Sequence, residues 1–211
     1  MPPTNPPHDC PLCPRLVAYR HEAQRLHPDW HNAPVPNWGD AAGSLIVVGL
    51  APGMKGANRT GRPFTGDYAG DLLYATLRKV GLASGEYEQR SDDSLKLKNV
   101  LIANAVRCVP PQNKPTPEET NTCRQFLSAT IAATRPRAYL ALGRIAHDSL
   151  LTTLGERRAA HPFGHGAEHE LGSGARLFDS YHCSRYNTNT GVLTTAMFED
   201  VVGRAAAYIG S

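Results

Sequence analysis

Four of the five cysteines fall into two pairs. Cys10 and Cys13 form a Cys-x-x-Cys turn that aims two sulfurs at one point, while Cys108 and Cys123 are separated by fourteen residues, much of that gap being the proline-rich run PPQNKPTPEE. Two plus two is the donor set of one tetrathiolate site, either tetrahedral zinc or a corner-liganded iron–sulfur cluster. Zinc ribbons usually repeat the short spacing in both halves, so the wide second pair favours the cluster. The plain alternative is that Cys108 and Cys123 are ordinary buried thiols. Either metal would be structural, stapling an irregular amino-terminal arm to the body of the protein. Cys183, the odd one out, reads as a small packing residue.

A second concentration of chemistry lies in GLAPGMKGANRTGRPFTGDYAG, residues Gly49 to Gly70, which holds six glycines. Glycine at this density means backbone bent tightly around something. The segment has no Gly-Lys-Ser/Thr tripeptide and lacks the spacing of a dinucleotide fingerprint, which argues against phosphate transfer. Instead Arg59 and Arg62 supply positive charge, Phe64 a flat apolar face and Asp67 a carboxylate, a set suited to a planar heterocycle beside a sugar-phosphate. Phe64 would serve equally as a core aromatic, and Asp67 as the N-cap of a following helix. Asn104, in NAVRC, offers an amide that donates and accepts at once, which is what reading a pyrimidine edge requires. A turn or in-strand role would suit it too. His182 opens the loop YHCSRYNTNTG and is the best placed of nine histidines for stabilising charge on a leaving group. The other eight, including His161, His165 and His169 of the insertion Ala159 to Gly174, read as solvent-facing, with metal binding there a weak alternative.

These residues need a scaffold, and the hydrophobic pattern supplies one. Short apolar runs at Ser44 to Gly49, Asn99 to Val106, Arg137 to Leu142 and Arg176 to Ser180 read as strands buried on both faces. Helical patterns occupy Leu16 to Leu26, Tyr68 to Val80, Pro117 to Thr134 and Arg144 to Leu154. A final stretch, Thr190 to Ile209, aligns Leu193, Ala196, Met197, Val201, Ala205 and Tyr208 on one stripe. Alternating strands and helices mean parallel βαβ units, and the expectation is a three-layer α/β/α domain with a four-stranded, mainly parallel sheet. Ligands of such sheets sit beyond the carboxyl ends of the strands, near Leu50, Arg107 and Tyr181. The 211 residues suit one domain, with residues 1–9 an irregular arm carrying four prolines. A net charge of +3 identifies no partner. The sequence shows no export signal or membrane-length apolar run, and the thiol count is odd, so a reduced, cytoplasmic setting is expected.

Taken together, GLAPG, NRTGRPFTGD, NAVRC and H-x-SR-x-N-T-N-T-G, flanked by Cys-x-x-Cys and Cys-x14-Cys, resemble the iron–sulfur uracil-DNA glycosylases of the type B, or family 5, branch. The resemblance runs from Cys10 to about Gly191. It implies a monomeric, monofunctional base-excision repair enzyme acting on double-stranded DNA, with a structural 4Fe-4S cluster on Cys10, Cys13, Cys108 and Cys123. Such enzymes extrude the damaged nucleotide and grip the base by stacking and hydrogen bonds. By similarity Phe64 stacks on the base, Asn104 reads its edge and His182 supports the anionic leaving base, while Asp67 steadies the cation-like sugar and positions water. Gly49, Leu50, Ala51 and Gly53 line the same pocket.

In the familiar uracil-specific enzymes an acidic residue stands where Ala51 is, and an aromatic that excludes a 5-methyl group stands at Gly53. In family 4 the residue matching Leu50 is glutamate. Their absence implies a slower, roomier pocket that accepts uracil and other deaminated bases such as hypoxanthine. Arg185, Tyr186 and Asn187 would form the loop that wedges into the duplex, and Arg59, Arg62, Arg107 and Lys114 would meet phosphates. The family pattern usually has proline after the histidine and often glutamine near Tyr186; here Cys183 follows His182, so a less rigid wedge loop is expected. Lys55 reads as a surface lysine rather than a Schiff-base former. Readings from other classes are an iron–sulfur electron carrier, which leaves the gathering of Phe64, Asp67, Asn104 and His182 unexplained, and a zinc-stapled, non-catalytic DNA-binding module.

Overall fold

The computed structural model describes residues 3–210, so the first two residues of the expected arm lie outside the described residues. Four parallel strands form the centre of the sheet, at Leu45–Gly49 (β2), Val100–Asn104 (β5), Ala138–Leu142 (β6) and Arg176–Ser180 (β8). Every residue of β2, β5 and β6 is buried, which is why these runs are apolar without alternation. The expected count of four is corrected to six. Trp38–Gly39 (β1) adds antiparallel to β5 and Glu168–Glu170 (β7) adds antiparallel to β8, giving the order β1-β5-β2-β6-β8-β7. Both additions are two or three residues long, too short to show a strand period in sequence. A small hairpin of Ala83–Ser84 (β3) and Lys96–Leu97 (β4) stands apart.

The helices are Pro14–Leu26 (α1), Ala57–Thr60 (α2), Tyr68–Lys79 (α3), Pro117–Thr134 (α4), Arg144–Leu154 (α5), Arg185–Asn189 (α6) and Thr195–Gly210 (α7). Alternate strand residues feed opposite layers: Leu45, Val47, Val100 and Ile102 pack with α3 and α7, and Ile46, Val48, Leu101 and Ala103 pack with α4 and α5. Each such side chain contributes about 1.5–3 kcal/mol by leaving water. The final stretch differs from expectation. It splits into α6 and α7, and α7 buries Phe198, Val201, Val202, Ala205 and Ile209, while Ala196 is exposed. Thr190 and Gly191 end the short α6 instead of starting the long helix.

The amino-terminal arm is irregular, yet it is tied down. Asn5 Oδ1 accepts the Asn37 amide at 2.7 Å, and the Thr4 carbonyl accepts from Thr130 Oγ1 at 3.1 Å. A third small cluster, Cys10, Leu16, Val106, Cys123 and Phe126, packs the arm and α1 against α4 and touches Ala51 on the far side.

Candidate functional site

Parallel register sets Gly49 beside Asn104 at the carboxyl ends of β2 and β5. The chain leaves both strands there and opens a cavity of about 570 Å³, within the roughly 300–1,000 Å³ span usual for small-molecule pockets. Leu50, Ala51, Gly53, Phe64, Asp67, Asn104, His182 and Arg185 all line it, so the residues singled out in four separate segments converge on one place. Gly49 is the hinge of this arrangement. A Cβ there would stand 2.5 Å from Asn104 Oδ1 and 2.6 Å from the Phe64 ring, distances no real side chain tolerates.

Phe64 sits at φ +50°, a left-handed conformation uncommon for an aromatic. The backbone of the site therefore bends to aim it, and its ring lies 6.1 Å from that of His182. Gly70, in the first turn of α3, lets the turn close on the Phe64 carbonyl, since a Cβ there would come within 1.8 Å of that oxygen. Asn104 is 3% exposed and its Oδ1 has no hydrogen-bond partner. A buried acceptor without a donor is costly, and here it belongs to a residue lining the cavity.

Asp67 is both things the sequence allowed. It caps α3, with Oδ1 accepting from Gly70 N–H at 3.3 Å, and it lines the cavity. Burial pushes its carboxyl above the ordinary carboxylate value, opposed by the amides of Gly70 and Ala69. Burial also holds the His182 imidazole below its ordinary value, so it is neutral at pH 7. The loop behind His182 has three anchors. Cys183 is fully buried with Sγ donating to the Ala69 carbonyl at 3.5 Å, Ser184 caps α6, and Asn187 Nδ2 donates to the His182 carbonyl at 2.8 Å. Cys183, directly after His182, thus fastens the loop to α3. Asn187, expected at the duplex, spends its amide on positioning His182.

Two of the expected phosphate contacts are corrected. Arg62 is 2% exposed, forms a two-pronged ion pair with Asp93 at 2.7 Å on both arms, and lies over the rings of Trp38, Tyr74 and Tyr87. Arg107 is 1% exposed and reaches Asn5 and Thr130; burial lowers its guanidinium to about 10. Neither faces solvent. Arg59, Lys114, Arg185 and Tyr186 are exposed, as a DNA-facing role requires, with Arg185 5.6 Å over the Tyr68 ring at the cavity rim. Lys55 is exposed as well. Tyr68, Asn113 and Ser184 also line the cavity. Asn113 was hidden in a run that reads as a proline-rich spacer, and its φ of +57° is the backbone bend that brings it in.

The histidines of the insertion are corrected too. His161 and His169 are 13% and 10% exposed, and with His147 and Asp179 they form a closed network beneath the end of β8. Asp179 accepts from His147 at 2.7 Å and is 3.2 Å from His169, while His147 Nε2 meets the His161 carbonyl at 2.9 Å. His165 Nδ1 accepts the Tyr181 amide at 3.2 Å. This network holds the strand end that leads into His182. Within it the ligand atoms of His147, His169 and Asp179 lie within 4.8 Å of one another, the only such three-ligand group found among the described residues.

Cys10, Cys13, Cys108 and Cys123 surround one small apolar hollow behind Ala51, and none is in a disulfide. Desolvation raises Cys13 to about 11 and Cys108 to about 12, and raises Cys123 as well. Four sulfurs gathered on one apolar hollow are a donor set that fits a thiolate-held metal group.

The model described as Uracil DNA glycosylase superfamily matches residues 36–205, and the chain belongs to that superfamily. A type-5 uracil-DNA glycosylase of Thermus thermophilus is 48% identical over 208 residues, covering 95% of this chain and 94% of that protein. Those of Pyrobaculum aerophilum and Mycobacterium tuberculosis are 43% and 41% identical, covering 96% and 95% of this chain and 90% and 78% of theirs. Within the superfamily the chain falls in the type-5 branch.

Proposed function

We propose that this protein hydrolyses the N-glycosidic bond of uracil, and of other deaminated bases such as hypoxanthine, in double-stranded DNA. The observation that carries this reading is the buried, partnerless Asn104 Oδ1, which belongs to a cavity that also holds Phe64, Asp67 and His182. An extruded base stacks on Phe64 and its imide N–H donates to Asn104 Oδ1, relieving the desolvated acceptor. As the glycosidic bond breaks, C1′–N1 in uracil or C1′–N9 in hypoxanthine, its electron pair passes to the base. Neutral His182 donates a hydrogen bond to the oxygen on which that charge collects, while Asp67 faces the cation-like sugar and orients the attacking water. Gly53 and Ala51, small on the cavity wall, leave room that an aromatic or acidic residue would take, which supports a broad choice of base.

The enzyme is monofunctional in this reading, because Lys55 is exposed and lies outside the cavity lining. Cys10, Cys13, Cys108 and Cys123 hold a structural 4Fe-4S cluster. The group supplies cross-linking of the arm to α4, and the Cys108 to Cys123 segment it anchors carries Asn113 to the pocket.

The test is a single-turnover assay on duplexes carrying uracil, hypoxanthine or an undamaged base, read with and without alkali. Strand scission only after alkali, on uracil and hypoxanthine, is the expected result. Tight, salt-sensitive binding without base release would overturn the catalytic reading. Scission without alkali would overturn the monofunctional one.

A further inference from the structure

Two arginines beside the cysteines present a charge problem that the protein chain alone leaves open. Arg20 is 3% exposed; its Nη1 lies 3.6 Å from Cys108 Sγ and its Nη2 donates to the Cys10 carbonyl at 3.2 Å. Arg107 is 1% exposed, its backbone N–H donates to Cys123 Sγ at 3.3 Å, and its guanidinium has only Asn5 Oδ1 and Thr130 Oγ1, each at 3.4 Å. Its Nε has no partner. Among the described residues neither arginine pairs with a carboxylate, and Glu119, the acid near Cys13, is occupied by Arg15 at 2.7 Å.

The same fold treats another buried arginine differently. Arg62 receives Asp93 on both arms and three aromatic faces, as the cost of burying a guanidinium demands. What distinguishes Arg20 and Arg107 is their place at the cysteines: the Arg20 guanidinium meets Cys108 Sγ and the Cys10 carbonyl, and Arg107, whose backbone N–H meets Cys123 Sγ, lines the hollow that the four cysteines surround. An anion at that site would meet the need, and neutral thiols would leave both cations unpaired.

We propose that Arg20 and Arg107 are the built-in counter-charge of the tetrathiolate group and set its reduction potential. This rests on the 4Fe-4S reading above. An oxidised cluster with its four thiolates carries a net charge of about −2, which two guanidiniums offset, and taking up one electron brings it to about −3. The more negative state gains more from fixed cations, so both arginines favour reduction and hold the cluster against loss.

The experiment compares Arg20→Gln and Arg107→Gln with Arg20→Lys and Arg107→Lys, by iron and sulfide content and by voltammetry with the electrode as electron source. Each glutamine variant is expected to shift the reduction equilibrium at least tenfold toward the oxidised form, about 59 mV more negative for one electron, and to lose iron faster to a chelator. The lysine variants keep the charge and stay near wild type. Equal potentials in glutamine variants and wild type, or lysine variants displaced as far as glutamine ones, overturn the inference while leaving the cluster in place. Wild-type protein purified with zinc or without iron overturns the cluster reading itself, and this inference with it. Should the glutamine variants not fold, wild type decides. Chelating its iron is expected to speed hydrogen exchange at the Arg107 amide more than tenfold, and unchanged protection there overturns the inference.

Discussion

Replacing Asp67 with asparagine keeps an oxygen to cap α3 but takes away the charge of the carboxylate. Burial makes the folded carboxyl bind its proton more tightly than the unfolded one, so above its folded pKa the charged group works against folding. Asp67→Asn is therefore expected to melt at the wild-type temperature or above while single-turnover uracil excision falls by about 10²–10⁴-fold. Asp67→Ala loses the cap as well, at about 1 kcal/mol; a melt that drops equally in both variants would sink the separation of roles. His182 shifts the opposite way. Its folded pKa lies below 6.5, so the neutral donor persists through pH 6.5 and is lost only further into acid. Any stability tied to the neutral ring is full above pH 6.5 and declines as pH falls toward the folded pKa. His182→Ala should cost about 10²–10³-fold in rate and remove that acid limb; a limb that survives the substitution belongs to another group.

At the scale of elements, the loop that carries His182 is held from both sides, and Asn187 is the handle. Asn187→Ala leaves the His182 carbonyl without its 2.8 Å donor, and the expected result is slower excision at unchanged duplex affinity. A weaker Kd with an unchanged single-turnover rate would return Asn187 to the duplex. The central elements were legible because each is long and its pattern decisive: Pro117–Thr134, Arg144–Leu154 and Arg176–Ser180 match the structure residue for residue. The edge strands were not, since two or three paired residues leave no period to read. The site was legible because its residues gather at strand ends and in the loops beyond them: Asn104 closes β5, Phe64 and Asp67 lie in the glycine-rich segment between β2 and α3, and His182 stands just past β8. Asn113 was hidden, as its role depends on a φ of +57° that composition does not encode. Arg62 and Arg107 were misplaced for a related reason. A cation inside a glycine-rich or strand-end loop looks solvent-facing until its burial is known, and the partner that buries Arg62 lies thirty-one residues away.

For the whole molecule, the division of arginines into buried and exposed sets decides how DNA binding responds to salt. Arg59, Lys114 and Arg185 are exposed, and Arg185 lines the cavity. If each neutralises one phosphate, together they account for a slope of about −2.7 in log K against log salt. Arg59→Ala, Lys114→Ala and Arg185→Ala should each flatten the measured slope by about one, and for Arg59→Ala and Lys114→Ala, which lie outside the cavity lining, affinity should fall alike on damaged and undamaged duplexes. Arg62→Gln belongs to another class. It strands Asp93, whose side chain is 0% exposed, so it should cost about 3–5 kcal/mol of stability and leave the slope of the surviving folded protein unchanged. A fluorescence-anisotropy salt titration beside a denaturant melt separates the two. If Arg62→Gln flattens the slope at wild-type stability, the buried ion pair is not what holds that arginine, and the charged surface that meets DNA extends into the aromatic cage of Trp38, Tyr74 and Tyr87.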